Sequence, residues 1–196
     1  MENYKNVIGI IAIGIAIISY IPYFRDIFAG KTKPHAFSWL VWGVLSAIAF
    51  LGQIADGGGA GAWVLGFTAV VTLSIFFIAL KKGEKNIKVF DWFCLIGAGI
   101  TLILWLITNE PLLSVVLVTI IDLLGFIPTI RKSYSKPHQE TLITYMLSTV
   151  KYGLAIIALQ NYSLVTVLFP LAMVIVHILF VGLLIIRRRQ VRKRIK

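Results

Sequence analysis

Three ionisable side chains stand inside long apolar runs of this chain: Asp122, Lys151 and His177. A charge at the centre of a hydrocarbon layer costs about 2.5–3.5 kcal/mol even on insertion scales, so such groups face a bundle interior or a wet cavity. Asp122 and Lys151 could pair near the middle, with His177 as a titratable neighbour, and together bind a polar solute or carry a proton. The plainer alternative is a buried structural ion pair that locks one helix to another. Aromatic and hydroxyl groups add a second pattern. Trp39 and Trp42 are three apart and share a helical face, which Ser46 and Phe50 continue. A matching stretch further on holds Tyr145, Ser148 and Thr149, and Thr68 and Thr72 lie in a third apolar run. Rings flanked by hydroxyls suit the face of a sugar or a nucleobase, although tryptophan and tyrosine also gather at membrane interfaces. Trp63, Trp92 and Trp105 sit near run ends and read as interface residues.

A second set of residues occurs twice. Ile21-Pro22-Tyr23-Phe24-Arg25 leads to Lys33-Pro34-His35, and Ile127-Pro128-Thr129-Ile130-Arg131 leads to Lys136-Pro137-His138. Each copy ends one apolar segment and opens the next. The repeat partners of Asp122 and Lys151 fall near Ala16 and Ile48, so the membrane charges belong to the second copy only. His35 and His138, each just after a proline, are expected to cap the following helix.

The elements that carry these groups follow from hydropathy. The chain is 59% hydrophobic and 14% charged, and seven apolar runs cover residues 7–24, 37–55, 62–80, 89–107, 112–130, 142–159 and 164–186. Each approaches the roughly 20 residues that cross about 30 Å of hydrocarbon, where an unpaired backbone forces helix. The sixth, with Lys151 and several hydroxyls, is the least apolar. Placing the N-terminus outside puts all but Lys5 and Lys151 of the 19 basic residues on the inner side, as the positive-inside rule requires. The net charge of +11 thus reflects short loops and the tail from Arg187 to Lys196, which rests on anionic lipid, and not a nucleic-acid surface. Lys5 precedes the first run and no small-residue cleavage site follows it, so that run reads as a retained helix. Asp91, near the start of the fourth run, reads as an interfacial cap. Cys94 is alone, which excludes an intramolecular disulfide and a cysteine metal cluster. Three scattered histidines supply no nucleophile–base or metal set, so neither an enzyme nor a cofactor or metal site is expected. Gly57-Gly58-Gly59 reads as a flexible connector and not a phosphate loop.

On this topology the repeat makes spans one to three match spans five to seven. The units are residues 1–83 and 111–196, with the lone fourth helix in 84–110 between them. An odd helix between them makes the repeats parallel. This 3+1+3 plan, with a proline late in the first helix of each triple and a basic loop after it, resembles the SWEET and PQ-loop transporter superfamily, including its PnuC-type and KDEL-receptor-like relatives. Tyr23 and Thr129 stand where that superfamily often has glutamine after the proline, and Pro34-His35-Ala36-Phe37-Ser38 loosely echoes its later motif. The resemblance implies that Pro22 and Pro128 act as hinges of an inner gate, with Arg25 and Arg131 as gate or interface-anchoring residues; as residues alone, the prolines could equally mark helix ends. It also implies an asparagine on the third helix of each triple to hold sugar, but Thr68, Thr72 and His177 are the polar groups there.

The expectation is an all-α, seven-helix protein of the cell membrane, N-terminus outside and C-terminus cytoplasmic. It would move a small polar solute (a sugar, a nucleoside or a vitamin-like compound) by alternating access. A non-transporting receptor on the same scaffold is the alternative. The expected solute-binding residues are Trp42, Ser46, Thr72, Asp122, Tyr145, Ser148, Lys151 and His177. Membrane lipids are the other partner, and a homo-oligomer is compatible with all of this.

Overall fold

The computed structural model describes residues 2–84, 89–108 and 110–195. Lys85, Lys88 and Lys196 lie outside the described residues, as do the side chains of Asp91, Cys94, Trp105, Pro128 and the tail beyond Val191. Seven α-helices follow one another: α1 (Glu2–Phe28), α2 (Ala36–Ala55), α3 (Trp63–Lys82), α4 (Val89–Thr108), α5 (Pro111–Ser135), α6 (Leu142–Ile157) and α7 (Leu164–Ile195). Short 3-10 turns occur at Gly59–Ala62 and Pro137–Gln139.

Among the described residues, five helices are long and apolar enough to cross a membrane: those spanning Asn3–Phe28, Ala36–Ala55, Gly59–Lys82, Pro111–Ser135 and Leu164–Val191. The distribution of side chains agrees with a lipid surround. Ile10, Ile21, Phe77, Ile178 and Leu179 are exposed, whereas Ser19, Ser46, Thr68, Thr72, Thr119, Thr144 and Ser148 are buried. A soluble domain reverses that order, because water, and not hydrocarbon, would then meet the outer face. This is an all-α membrane protein. The sixth run is shorter than expected, since α6 has 16 residues, which span about 24 Å at helical rise.

Helix ends differ from the sequence expectation in three places. Pro22 lies inside α1, which continues to Phe28, and α5 likewise runs past position 128 to Ser135. These positions therefore do not end their helices. His35 does cap α2, its ring accepting from the Ser38 amide. His138 does not cap α6; it lies in the 3-10 turn, and Thr141 takes the N-cap position, because Glu140 and Thr141 separate the turn from the helix. The basic tail is not a separate segment but continues α7.

α3 packs against α1 and α2, and α7 packs against α5 and α6. The two groups meet where α1 lies on α6 and α2 lies on α5, while α4 rests on α5 and α2. The core has two clusters. One, around Leu45, Ile48, Leu65, Val115 and Phe169, is mainly aliphatic. The other, around Tyr23, Trp39, Trp42, Phe126, Tyr145 and Phe180, is mainly aromatic.

Candidate functional site

All eight residues expected to bind solute line one cavity. Trp42 and Ser46 come from α2, Thr72 from α3, Asp122 from α5, Tyr145, Ser148 and Lys151 from α6, and His177 from α7. The cavity is small, about 40 Å³, and its wall is completed by Tyr20, Thr68, Thr144, Tyr152 and Met173 among others. Helix periodicity explains the grouping. Tyr145, Ser148 and Tyr152 recur every three or four residues on α6 with Lys151 beside them, so a single face carries every polar group.

Lys151 is 1% exposed and does not pair with Asp122 as the sequence suggested. Its Nζ donates to Tyr20 Oη at 3.1 Å and to Thr68 Oγ1 at 3.0 Å, and it lies over the rings of Tyr20 and Tyr152. The long lysine stem reaches across to α1 and α3, so this side chain ties α6 to the opposite group of helices. Asp122 is buried, and its Oδ2 has no hydrogen-bond partner. His177 Nδ1 is 2.7 Å from the Met173 carbonyl. A carbonyl can only accept, so Nδ1 carries the proton, and in the neutral ring Nε2 is left as an acceptor. Its ring stacks on Tyr152 and meets Phe126 edge-on. Ala16 and Ile48, the positions that correspond to Asp122 and Lys151 in the sequence repeat, are buried.

Between this cavity and one end of the molecule lies a larger vestibule of about 310 Å³. Trp39, Trp42 and Tyr145 line both spaces and form the partition between them. Trp39 is therefore a buried partition residue and not an interface one; its ring contacts Tyr23 at 4.9 Å and Trp42 at 5.3 Å. Trp63 and Trp92 are exposed. Exposed Arg131, Ser135 and Lys136 form part of the vestibule wall, which opens it to the surface. Arg25 is exposed too and pairs with its neighbour Asp26 at 2.9 Å.

The basic segments converge at this end. Lys132 Nζ donates to the Lys33 carbonyl at 3.0 Å, the Glu84 amide to the Pro34 carbonyl at 2.9 Å, and Arg188 to the Pro137 and Glu140 carbonyls. Glu140 was not anticipated. It is buried, pairs with Lys132 at 2.9 Å and accepts from the Tyr145 hydroxyl at 3.1 Å. It therefore joins the vestibule rim to the partition. Asp26 and Lys132 each sit four residues after the repeated proline position, and each reaches across to the other group of helices. Asp26 Oδ2 accepts from Thr141 Oγ1 at 2.9 Å, while Lys132 reaches the Lys33 carbonyl. The shared offset from Pro22 and Pro128 was the available signal.

The opposite end is closed. Gly57 and Gly59 adopt left-handed φ of 70° and 58°, and the turn that follows packs on α6 and α1. A Cβ on Gly61 would lie 2.7 Å from the Ala155 carbonyl oxygen, and one on Gly9 would lie 2.9 Å from the Ala60 Cβ. The glycine run is thus a packed closure and not a loose connector, because only residues without Cβ permit this approach. Polar links reinforce it. Lys5 Nζ donates to the Leu159 carbonyl at 2.6 Å, the Gln160 amide to the Gly58 carbonyl at 3.2 Å, and Asn161 and Ser163 both donate to Asp56. Gln53 Nε2 donates to the Thr166 carbonyl.

The chain matches no protein-family model, no curated protein and no solved structure.

Proposed function

We propose that this protein is a carrier of a small polar solute that works by alternating access between two three-helix units, α1–α3 and α5–α7, with α4 joining them. The observation that carries the reading is a polar cavity lined by both helix groups, with a vestibule toward one end and a packed closure at the other. That is the layout expected of a carrier halted with one gate shut. The placing of α3 between α1 and α2, and of α7 between α5 and α6, supports equivalent triples. Seven crossings, with the N-terminus outside and the basic end in the cytoplasm of the cell, agree with the charge map. The PQ-loop resemblance belongs to the same reading: Pro22 and Pro128 would relax helices that run through them, and Arg25 and Arg131 would mark the moving rim. Lys151, Asp122 and the rings around them would hold the solute.

Reconstitution tests this directly. Proteoliposomes loaded with candidate solutes should show saturable counterflow, and Lys151→Met should abolish it while the protein remains folded. Saturable binding without flux would assign the scaffold to a receptor instead. Flux unchanged by Lys151→Met would remove the cavity from the transport path.

A further inference from the structure

Three of the five buried side-chain polar atoms without a hydrogen-bond partner among the described residues, Trp42 Nε1, Asp122 Oδ2 and Thr144 Oγ1, belong to residues lining the central cavity. Lys151 adds a fourth opening. An ammonium has three N–H donors, and two are taken by Tyr20 and Thr68. Leaving a buried polar atom unpaired costs about 1–3 kcal/mol, and more for a charged one. Native interiors satisfy such groups with protein, water or ligand atoms, so a cluster of them around a single space marks where such atoms bind.

The signs of the groups narrow the ligand further. A cation and a carboxyl group face the same cavity, yet no ion pair joins them; among the described residues the side-chain ion pairs are Arg25–Asp26 and Lys132–Glu140. Lys151 is held away from Asp122 by the hydroxyls of two helices from the other triple. A simple anion would satisfy Lys151 but bring like charge toward Asp122. A neutral polyol would supply hydrogen bonds but leave both charges without a counter-charge in a low-dielectric site. A molecule bearing both charges matches both and keeps the site neutral. Size points the same way. A space of about 40 Å³ holds about three water-sized groups, so a compact zwitterion requires far less widening of the site than a hexose or a nucleoside. Phe126 and Met173 on the wall leave an apolar side for a short hydrocarbon portion.

We infer that the solute is a small zwitterion, its anionic group bound by Lys151 and its ammonium by Asp122. This rests on the carrier reading above and sharpens it from polar solutes in general to one charge pattern.

Thermal stabilisation of the purified full-length protein tests the inference with defined probes: L-alanine, sodium propionate, propylammonium chloride, glucose and uridine, at matched ionic strength. L-alanine should stabilise the protein at concentrations roughly ten- to hundredfold below any other probe, the factor expected for one charge-assisted bond. In Asp122→Asn the site becomes cationic, so propionate should gain on L-alanine; Lys151→Met should favour propylammonium. An Asp122→Asn variant that binds L-alanine as before would overturn the assignment even if Lys151→Met does not fold. Glucose or uridine binding with saturable counterflow, and no effect of L-alanine, would overturn the zwitterion and leave the carrier intact. L-alanine binding without counterflow would keep the zwitterion site and remove the carrier. A protein stabilised by none of the five probes would overturn the inference.

Discussion

At the end bearing Lys5 and Asp56, the two groups of helices meet backbone to backbone; at the basic end they meet through side chains around an open vestibule. Gly61 lets the turn before α3 approach α6 until an added Cβ would meet the Ala155 carbonyl, Gly59 lies against the Gln160 side chain, and five hydrogen bonds from Lys5, Gln53, Gln160, Asn161 and Ser163 cross the same seam. The basic end relies on the Thr32–Thr141–Asp26 chain and on Lys132, all carried by flexible or hydroxyl side chains. A side-chain hydrogen bond is lost by rotation of one side chain, whereas a close backbone contact at glycine is lost only when whole helices separate. Both ends use equivalent connections of the repeat, the α2–α3 and α6–α7 links at one and the α1–α2 and α5–α6 links at the other. Under the proposed carrier reading, the difference between them is that of one gate open and the other shut.

Breaking the closed end should have the largest effect. Gly61→Leu forces a side chain against Leu159 and the Ala155 carbonyl and should cost about 3 kcal/mol. It should lower the melting temperature in detergent and speed maleimide labelling of Ser46→Cys from the Asp56 side, in a Cys94→Ser background. Asp56→Ala removes the acceptor of Asn161 and Ser163. A loss of about 1–2 kcal/mol is expected, with a smaller rise in the same labelling.

The basic end should respond more weakly to thermal unfolding and more strongly in access. Glu140→Gln weakens the Lys132 pair and keeps only one good acceptor for Tyr145. Stability should fall by about 1 kcal/mol, while Ser46→Cys labels faster from the basic side as the partition loosens. Asp26→Asn should cost least, about 0.5 kcal/mol, because the amide oxygen still accepts from Thr141. If Asp26→Asn destabilises as much as Gly61→Leu, the contrast between the two ends fails.

Much of this was legible in the residues. Helix number and the choice of Trp42, Ser46, Asp122, Lys151 and His177, which line one cavity, follow from spacing in a chain whose periodicity is helical throughout. What escaped is instructive. The glycines at 57–61 look like a loop in sequence, since nothing local records that Gln160 lies against Gly59 and that Leu159 and Ala155 lie against Gly61. Glu140 reads as a surface charge in a loop, yet its partners are Lys132, eight residues away, and the Tyr145 hydroxyl. Thr141, not His138, takes the N-cap position because the 3-10 turn before α6 has no local signature.

The sequence by itself determined which segments are apolar enough for lipid, where the charges interrupt them, and that one pattern occurs twice. Those properties depend on composition and on the 3.6-residue period, which need no knowledge of neighbours. Only the tertiary structure decided that Lys151 bonds Tyr20 and Thr68 and leaves Asp122 unpaired. A lysine has a long stem and several polar groups within reach, and the rotation of each helix against its neighbours selects among them.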